Sequence, residues 1–209
     1  MTGRHPATAA QRTDLLHRML LLRHSPEPEA DLGEGDEAVA VGLRCALGPA
    51  DTLVPAHRRD GPALAVELAH DDVLRHRSAV VVCFVGAHGT PGLATTLDHA
   101  IEDRLPVLFC CADQHDAHPA GAEALPAETV DGTDVEAVAL AALTAVHPVR
   151  AGAGPRLLHF RTYAQRTEPL HDPIRILADR MRTDHQLDDN ALAAIEKHVA
   201  AQVGGLRSR

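Results

Sequence analysis

Aromatic residues are scarce in this sequence: Trp is absent, and aromatic side chains make up 2% of the 209 residues. The chain therefore has few side chains on which nucleic-acid bases could stack. Basic residues are also outnumbered, with 20 Lys and Arg against 29 Asp and Glu and a formal charge of −9. Because such a surface repels phosphate groups, nucleic acids and anionic membranes are excluded as the main partners.

Long hydrophobic runs and cysteine motifs are missing as well. No stretch reaches the roughly 20 apolar residues that a membrane-spanning helix needs, and no basic-then-apolar leader precedes the first polar segment. We therefore expect a cytoplasmic protein with no membrane partner. The cysteines lie in apolar runs without C-x-x-C spacing, which predicts buried, reduced thiols rather than disulfides or zinc ligands: Cys45, Cys83, Cys110 and Cys111.

The stretch from Ala79 to Asp113 predicts the centre of the fold. Ala79–Val85 is an unbroken apolar run typical of a strand buried on both faces, and Val107–Cys111 is a second one. Between them, a glycine-rich loop leads into a segment with helical spacing, Leu93–Arg104. Two buried strands joined by a helix indicate a parallel sheet, in which ligands bind at the carboxyl ends of the strands. The candidate binding segments are therefore Gly86–Thr90 and Asp113–His118.

The remaining chain alternates between helical and strand patterns, which predicts an α/β protein: a parallel sheet flanked by helices. We expect a flexible N-terminus over residues 1–12 and a single domain over residues 13–209. The predicted helices are Asp14–Arg23 with Thr13 as a cap, Glu37–Leu47, Pro62–Arg75, Val135–Val146, Ile174–Arg182 and Ala191–Val203 ended by Gly204-Gly205. Further strands are predicted at Asp51–Ala56 and Pro155–Tyr163, and loops at Gln114–Pro126 and Glu128–Asp134.

An ordered set of stretches resembles one family. The set comprises LLHRMLLLR, GDEAVAVGLRCALGPADTLVPAHRRDG, AVVVCFVGA, LPVLFCCAD, ETVDGTDVEAV, GPRLLHFRTY and HDPIRILADRMRTDHQLDDNALAAIEKHV. In this order they resemble the alpha subunit of thiamine-diphosphate-dependent 2-oxo acid dehydrogenases, the decarboxylating first component of the pyruvate and branched-chain complexes. The resemblance covers nearly the whole chain and implies the fold of the family's diphosphate-binding domain.

This resemblance implies thiamine diphosphate held through Mg²⁺. Arg58 matches a family arginine that contacts the diphosphate, and the family's Gly-Asp-Gly motif falls on Phe84–Gly86 or on Gly86-Ala87-His88. Neither alignment retains the aspartate, and Val85 or Ala87 cannot bind magnesium. The family's second ligand motif falls on Asp113-Gln114, with a further ligand near Asp116. The implied cofactor-binding residues are Arg58, Gly86, Ala87, His88, Asp113 and Gln114, and the implied metal ligands are Asp113, Gln114 and Asp116.

Other departures leave alternatives open. The family's catalytic histidine would fall on Arg166–Glu168, where there is none, although His171 is nearby, and the segment Pro62–Ser78 is shorter than the family's insert. Gly86–Thr90 is either a remodelled anion-binding loop or a tight turn between strand and helix. Arg58 and its neighbour Arg59 either hold phosphate or are solvated or interfacial charges. Asp113 is a ligand, an acid/base group or a loop cap.

The resemblance implies an oxidoreductase component: an alpha-like subunit for 2-oxo acid decarboxylation and acyl or aldehyde transfer, with a degenerate active site. It implies a beta-like subunit as the partner in a hetero-oligomer. Two predicted helices are apolar on more faces than one sheet can cover, which also suggests an oligomer: Glu37–Leu47 and Val135–Val146. The alternative is a non-catalytic structural or regulatory subunit that stabilises its partner without binding cofactor.

Overall fold

The computed structural model describes residues 7–25, 36–55, 60–86, 92–113, 119, 121–163 and 169–206. Within these ranges, five parallel strands form one sheet and seven α-helices surround it, which confirms the predicted α/β class. The strands are β1 (Thr52–Val54), β2 (Val81–Phe84), β3 (Val107–Asp113), β4 (Ala127–Asp131) and β5 (Arg156–Arg161). The helices are α1 (Ala9–His24), α2 (Glu37–Arg44), α3 (Gly61–Leu74), α4 (Leu93–Glu102), α5 (Val135–Arg150), α6 (Pro173–Thr183) and α7 (Asp189–Leu206).

The strand order across the sheet is β1-β2-β3-β5-β4, and every neighbouring pair is parallel. The chain advances from β1 to β3 and then passes beyond β5 to form the edge strand β4. It steps back to β5 through α5. The direction of travel across the sheet therefore reverses at the edge strand β4, and β3 and β5 become neighbours without being consecutive in the chain. Ligands of open α/β sheets bind at the carboxyl ends of the strands.

The two faces of the sheet carry separate hydrophobic cores, because successive side chains of a strand point to opposite faces. On one face, Cys83 and Phe109 pack with side chains of α3 and α4 such as Ala65 and Leu97. On the other face, the core contains Val82, Leu108, Phe160 and residues of α5 and α2. The central strands are therefore buried on both sides, as the apolar runs in the sequence predict.

Helix α2 lies between two layers of the protein. Val39 and Leu43 belong to the core between the sheet and α5, whereas Ala38 and Val41 pack into a third core formed with α1, α6 and α7. This packing explains why the α2 sequence is apolar on more than one face. Because both faces are covered within the chain, the apolar character of α2 does not by itself require a partner.

Several element boundaries differ from the predictions. Helix α1 begins at Ala9 rather than Asp14, and its cap is Thr8, whose side chain accepts a hydrogen bond from the Gln11 amide. Strand β4 forms where a loop was predicted, because its polar residues lie on an exposed edge of the sheet. Helix α7 continues through Gly204 to Leu206, since glycine lowers helix propensity without necessarily ending a helix.

The predicted burial of α5 is only partly correct. One side of α5 packs on the sheet, but Leu140 and Leu143 are 43% and 51% exposed. None of the helices in the described ranges is both long and apolar enough to cross a membrane.

Candidate functional site

A polar cluster lies toward the carboxyl ends of β3 and β5, which are neighbours in the sheet but not consecutive in the chain. Cys111 and Asp113 are two residues apart on β3 and therefore share a face of the sheet. His159 of β5 pairs in register with Cys111, which places it on that same face. The end of the pairing is fixed by the amide of Thr162, which donates to the carbonyl of Asp113 at 2.8 Å. Rigid strands, rather than loops, thus position these three side chains.

Asp113 is the centre of the cluster. Nε2 of His159 and Oδ1 of Asp113 are 3.0 Å apart, and Sγ of Cys111 donates to Oδ2 of Asp113 at 3.7 Å. The side chain of His159 is fully buried and that of Asp113 is 12% exposed. The carboxylate therefore joins a buried imidazole and a buried thiol, and it is the member of the cluster that reaches solvent.

Burial controls the chemistry of the cysteine. Burial, together with the neighbouring Asp113 carboxylate, raises the pKa of the Cys111 thiol to about 12. At neutral pH the sulfur is therefore protonated and a poor nucleophile in the protein alone. A bound metal ion that replaces the thiol proton would convert the sulfur to a thiolate ligand.

Among the predicted site residues, the structure describes Gly86 and Asp113. Gly86 follows β2, is exposed, and has no atom within 4 Å of the position that a Cβ would occupy. No close approach in the described residues therefore requires a glycine there. Asp113 lies in the cluster at the end of β3. The remaining predicted cofactor and metal residues lie outside the described residues: Arg58, Ala87, His88, Gln114 and Asp116.

The Val130–Val135 motif, which carries much of the family resemblance, has a structural role here. Oδ1 of Asp134 accepts the amides of Glu136 and Ala137 at the start of α5, and its carboxylate pairs with Arg180. A Cβ at Gly132 would lie 2.8 Å from the carbonyl oxygen of Arg161. The motif therefore closes the turn between β4 and α5 and caps the helix, which explains its residue types.

His171 contacts the segment that follows β5; the family resemblance did not decide whether this histidine takes the place of the family's catalytic histidine. Its ring stacks on that of Tyr163, with centroids 3.9 Å apart and an angle of 13° between the planes. The segment 164–168, in which the family's catalytic histidine was expected, is outside the described residues. His171 is therefore held by an aromatic contact next to the carboxyl end of the sheet.

Sequence reasoning missed two members of the cluster. Cys111 was interpreted as a core thiol, and His159 was not singled out. The signal was present in two patterns: Cys111 and Asp113 have the spacing of one strand face, and His159 is the polar residue within the apolar run LLHF. Bringing them together required the β3–β5 register, which periodicity alone does not provide. The predicted burial of all four thiols also fails at Cys45, which is exposed.

The donors of this cluster do not suit a magnesium–diphosphate site. Mg²⁺ prefers oxygen ligands in octahedral geometry, whereas Asp113 stands between a sulfur and an imidazole nitrogen. At the neighbouring strand end, Val85 is buried, its amide donates to the carbonyl of Cys110, and Gly86 follows it. In the described residues up to Gly86, the end of β2 therefore supplies no carboxylate that could bind a metal together with Asp113.

No protein-family model matches the chain. The pyruvate dehydrogenase E1 component subunit alpha of Zymomonas mobilis subsp. mobilis is 25% identical over 279 residues, covering 95% of this chain and 79% of that protein. The subunit of the same name from Rhizobium meliloti is 25% identical over 222 residues, covering 72% of this chain and 64% of that protein. The first alignment is longer than this chain, so it includes residues that the chain lacks. These similarities make the chain a distant relative of pyruvate dehydrogenase E1 alpha subunits.

Proposed function

We propose that the chain is the alpha-like component of a two-component enzyme that decarboxylates a 2-oxo acid and transfers the acyl or aldehyde product. The observation that carries this proposal is the distant similarity to E1 alpha subunits over 95% of the chain. Similarity of that extent involves the whole α/β domain rather than a single motif. In this proposal a beta-like subunit completes the site, and thiamine diphosphate is the cofactor implied by the resemblance.

The carboxyl edge of the sheet is where this chain would contribute to such a site. Asp113 occupies the strand end that the resemblance assigns to the metal-binding motif, and Arg58 remains the predicted phosphate contact. The donor set around Asp113 does not fit a magnesium ion bound through oxygen alone. The proposal is therefore of an eroded metal–diphosphate site, in which the partner supplies more of the binding than the family pattern implies.

Helix α5 offers the surface that best suits a protein partner. Leu140 and Leu143 are one helical turn apart and both are exposed, on the side of α5 that does not pack on the sheet. An apolar pair of this kind loses contact with water when a second subunit covers it. The matching control lies on the opposite face of the sheet, where Leu74 at the end of α3 is 77% exposed.

The experiment is co-expression of the chain with a beta-like subunit. Size-exclusion chromatography with light scattering measures the complex, and release of CO₂ from a 2-oxo acid with thiamine diphosphate and Mg²⁺ measures activity. We expect a complex that Leu143→Glu weakens and Leu74→Glu does not, because only the first change places a charge in the proposed interface. A stable monomer that ignores the beta-like subunit contradicts the proposed partner, and a complex without activity contradicts the enzymatic role.

A second candidate function is a non-catalytic subunit that stabilises its partner. The sulfur and nitrogen donors around Asp113 favour it, because they differ from what a magnesium–diphosphate group needs. In that case the chain raises the melting temperature of the beta-like subunit, while cofactor affinity of the complex equals that of the beta-like subunit alone. Measuring both quantities on one preparation separates the two candidates.

A further inference from the structure

We propose that Cys111, Asp113 and His159 bind a transition-metal ion of the zinc class through Sγ, a carboxylate oxygen and Nε2. The site lies at the β3–β5 boundary and is independent of thiamine diphosphate. It also differs from the implied magnesium site, of whose predicted residues it shares Asp113 alone.

The spacing of the three donors suits one small ion. Around a tetrahedral zinc ion with bonds of roughly 2.0–2.3 Å, neighbouring ligand atoms lie about 3.3–3.8 Å apart. Here Nε2 and Oδ1 are 3.0 Å apart, Sγ and Oδ2 are 3.7 Å apart, and one donor atom from each residue lies within 4.8 Å of the others. These separations are close to those around a bound ion, so the three donors already lie near the positions that binding requires.

The donor types select the kind of metal. A thiolate and an imidazole are ligands for zinc and related ions, whereas Mg²⁺ and Ca²⁺ take oxygen ligands. The thiolate and the carboxylate together carry two negative charges, which balance a divalent cation. Three protein ligands leave a fourth position of the tetrahedron for water or another ligand.

Binding replaces the protons that now join the cluster. As the metal–sulfur bond forms, the Sγ proton of Cys111 leaves for solvent, and the ion occupies the space between Nε2 and Asp113. Nε2 also gives up the proton that joins it to Asp113, because it binds the ion through its lone pair; the neutral ring then carries its single proton on Nδ1. The Sγ proton is released to solvent for each ion bound.

The burial of the cluster favours a specific metal site over loose binding of an ion at the surface. Cys111 and His159 have no exposed surface, and both belong to neighbouring strands held in fixed register. Asp113 provides the route from solvent, since 12% of its side chain is exposed. Asp113 pairs in register with Arg161, the last residue of β5, so the site lies at the very end of the β3–β5 pairing.

The test uses the full chain, stripped with a chelator and then supplied with Zn²⁺ or Co²⁺ alone. After dialysis, elemental analysis should find one zinc ion per chain, and the cobalt form should show a thiolate-to-cobalt charge-transfer band. Loss of a group that only orients a metal ligand commonly weakens metal binding about 10- to 100-fold. Cys111→Ser and His159→Asn each remove a ligand itself, so each should weaken zinc affinity at least about a hundredfold.

The matched controls are the other cysteines. Cys110→Ser alters a buried thiol on the opposite face of β3, and Cys45→Ser removes the exposed thiol; both should retain the ion and the cobalt band. Circular dichroism checks that each variant folds. If Cys111→Ser does not fold, the cobalt band in Cys45→Ser still reports whether a buried thiol binds the metal.

The proposal is overturned if the wild-type chain does not retain one equivalent of zinc or if its cobalt form lacks the thiolate-to-cobalt band. Loss of metal in Cys45→Ser would also overturn it. These measurements need neither partner nor thiamine diphosphate. Their outcome is therefore separate from that of the proposed enzymatic function.

Discussion

Gly42 of α2 lies directly against Val138 of α5. A Cβ at Gly42 would be 2.6 Å from Cγ1 of Val138 and 3.0 Å from the backbone nitrogen of Ala139. The second contact involves backbone, which cannot rotate away. The close approach of α2 and α5 therefore depends on the missing side chain, and it joins α2 to the layer that covers the sheet.

Gly42→Ala should therefore destabilise the protein. Overpacking of a tight contact costs about 1–3 kcal/mol, which exceeds the gain of about 0.5–1 kcal/mol from replacing glycine in a helix. Urea denaturation measures the difference. The control is Gly205→Ala near the end of α7, where a Cβ meets no atom within 4 Å; this variant should be neutral or slightly stabilised. Equal stability of both variants would contradict the close helix contact.

The central strands were predictable because burial on both faces leaves unbroken apolar runs. The same reasoning failed at β4, whose sequence AETVD is polar because the strand lies at an exposed edge. It also mistook glycine for a helix end in α7. Core periodicity thus identifies buried elements, whereas exposed edges and helix ends depend on tertiary contacts that the sequence pattern does not encode.

For the candidate site, the sequence placed Asp113 at the carboxyl end of a buried strand, where the structure has it, and its role as a ligand stays a prediction. It did not predict His159 as a neighbour, because β3 and β5 are separated along the chain by the excursion to β4 and α5. Once β3 and β5 are paired, alternation along each strand places Cys111, Asp113 and His159 on one face. The missing information was the strand order.

Asp51 should contribute to the loss of folding stability at acidic pH. Burial alone would raise the pKa of Asp51, but hydrogen bonds from Arg150 and from the amides of Gly48 and Val80 outweigh it, so the pKa lies below its usual value. Because the folded pKa is depressed, this stabilisation is present above the unfolded pKa of about 4 and is lost as pH falls through the folded value.

Asp51→Ala removes the bidentate pair with Arg150 and leaves two amides without their acceptor. We expect a loss of about 3 kcal/mol near neutral pH, at the low end for a buried pair, because Arg150 is 30% exposed and can reach water. Urea denaturation over a pH series should show that the variant loses less stability below about pH 4 than the wild type. Parallel pH curves would show that Asp51 does not contribute.

The four thiols should react with an alkylating reagent in a defined order. Burial raises the pKa of Cys83 and of Cys111 to about 12 and that of Cys110 well above its usual value, whereas Cys45 is exposed at the end of α2. Because the thiolate is the reactive form, native protein at about pH 8 should be labelled at Cys45 first. Mass spectrometry identifies the labelled residue, and Cys45→Ser should remain unlabelled until it is unfolded. Early labelling of Cys111 in the native state would contradict its burial.

The isolated chain should bind thiamine diphosphate with Mg²⁺ only weakly. The resemblance places Val85 or Ala87 where the family has a metal-binding aspartate, and Asp113 is already engaged by His159 and Cys111. Magnesium would therefore find too few oxygen ligands on this chain. Isothermal titration calorimetry that gave a magnesium-dependent affinity of micromolar or tighter would contradict this prediction.

Restoring a carboxylate provides the matched test. Ala87→Asp places one at the position implied by the shifted alignment and leaves the buried Val85 unchanged. If the missing aspartate limits binding, Ala87→Asp should strengthen magnesium-dependent binding, whereas Ala87→Asn should improve it less because an amide carries no charge. Equal affinities of the wild type and both variants would show that the aspartate is not the limiting loss. The limit would then lie in the partner subunit or in the donors around Asp113.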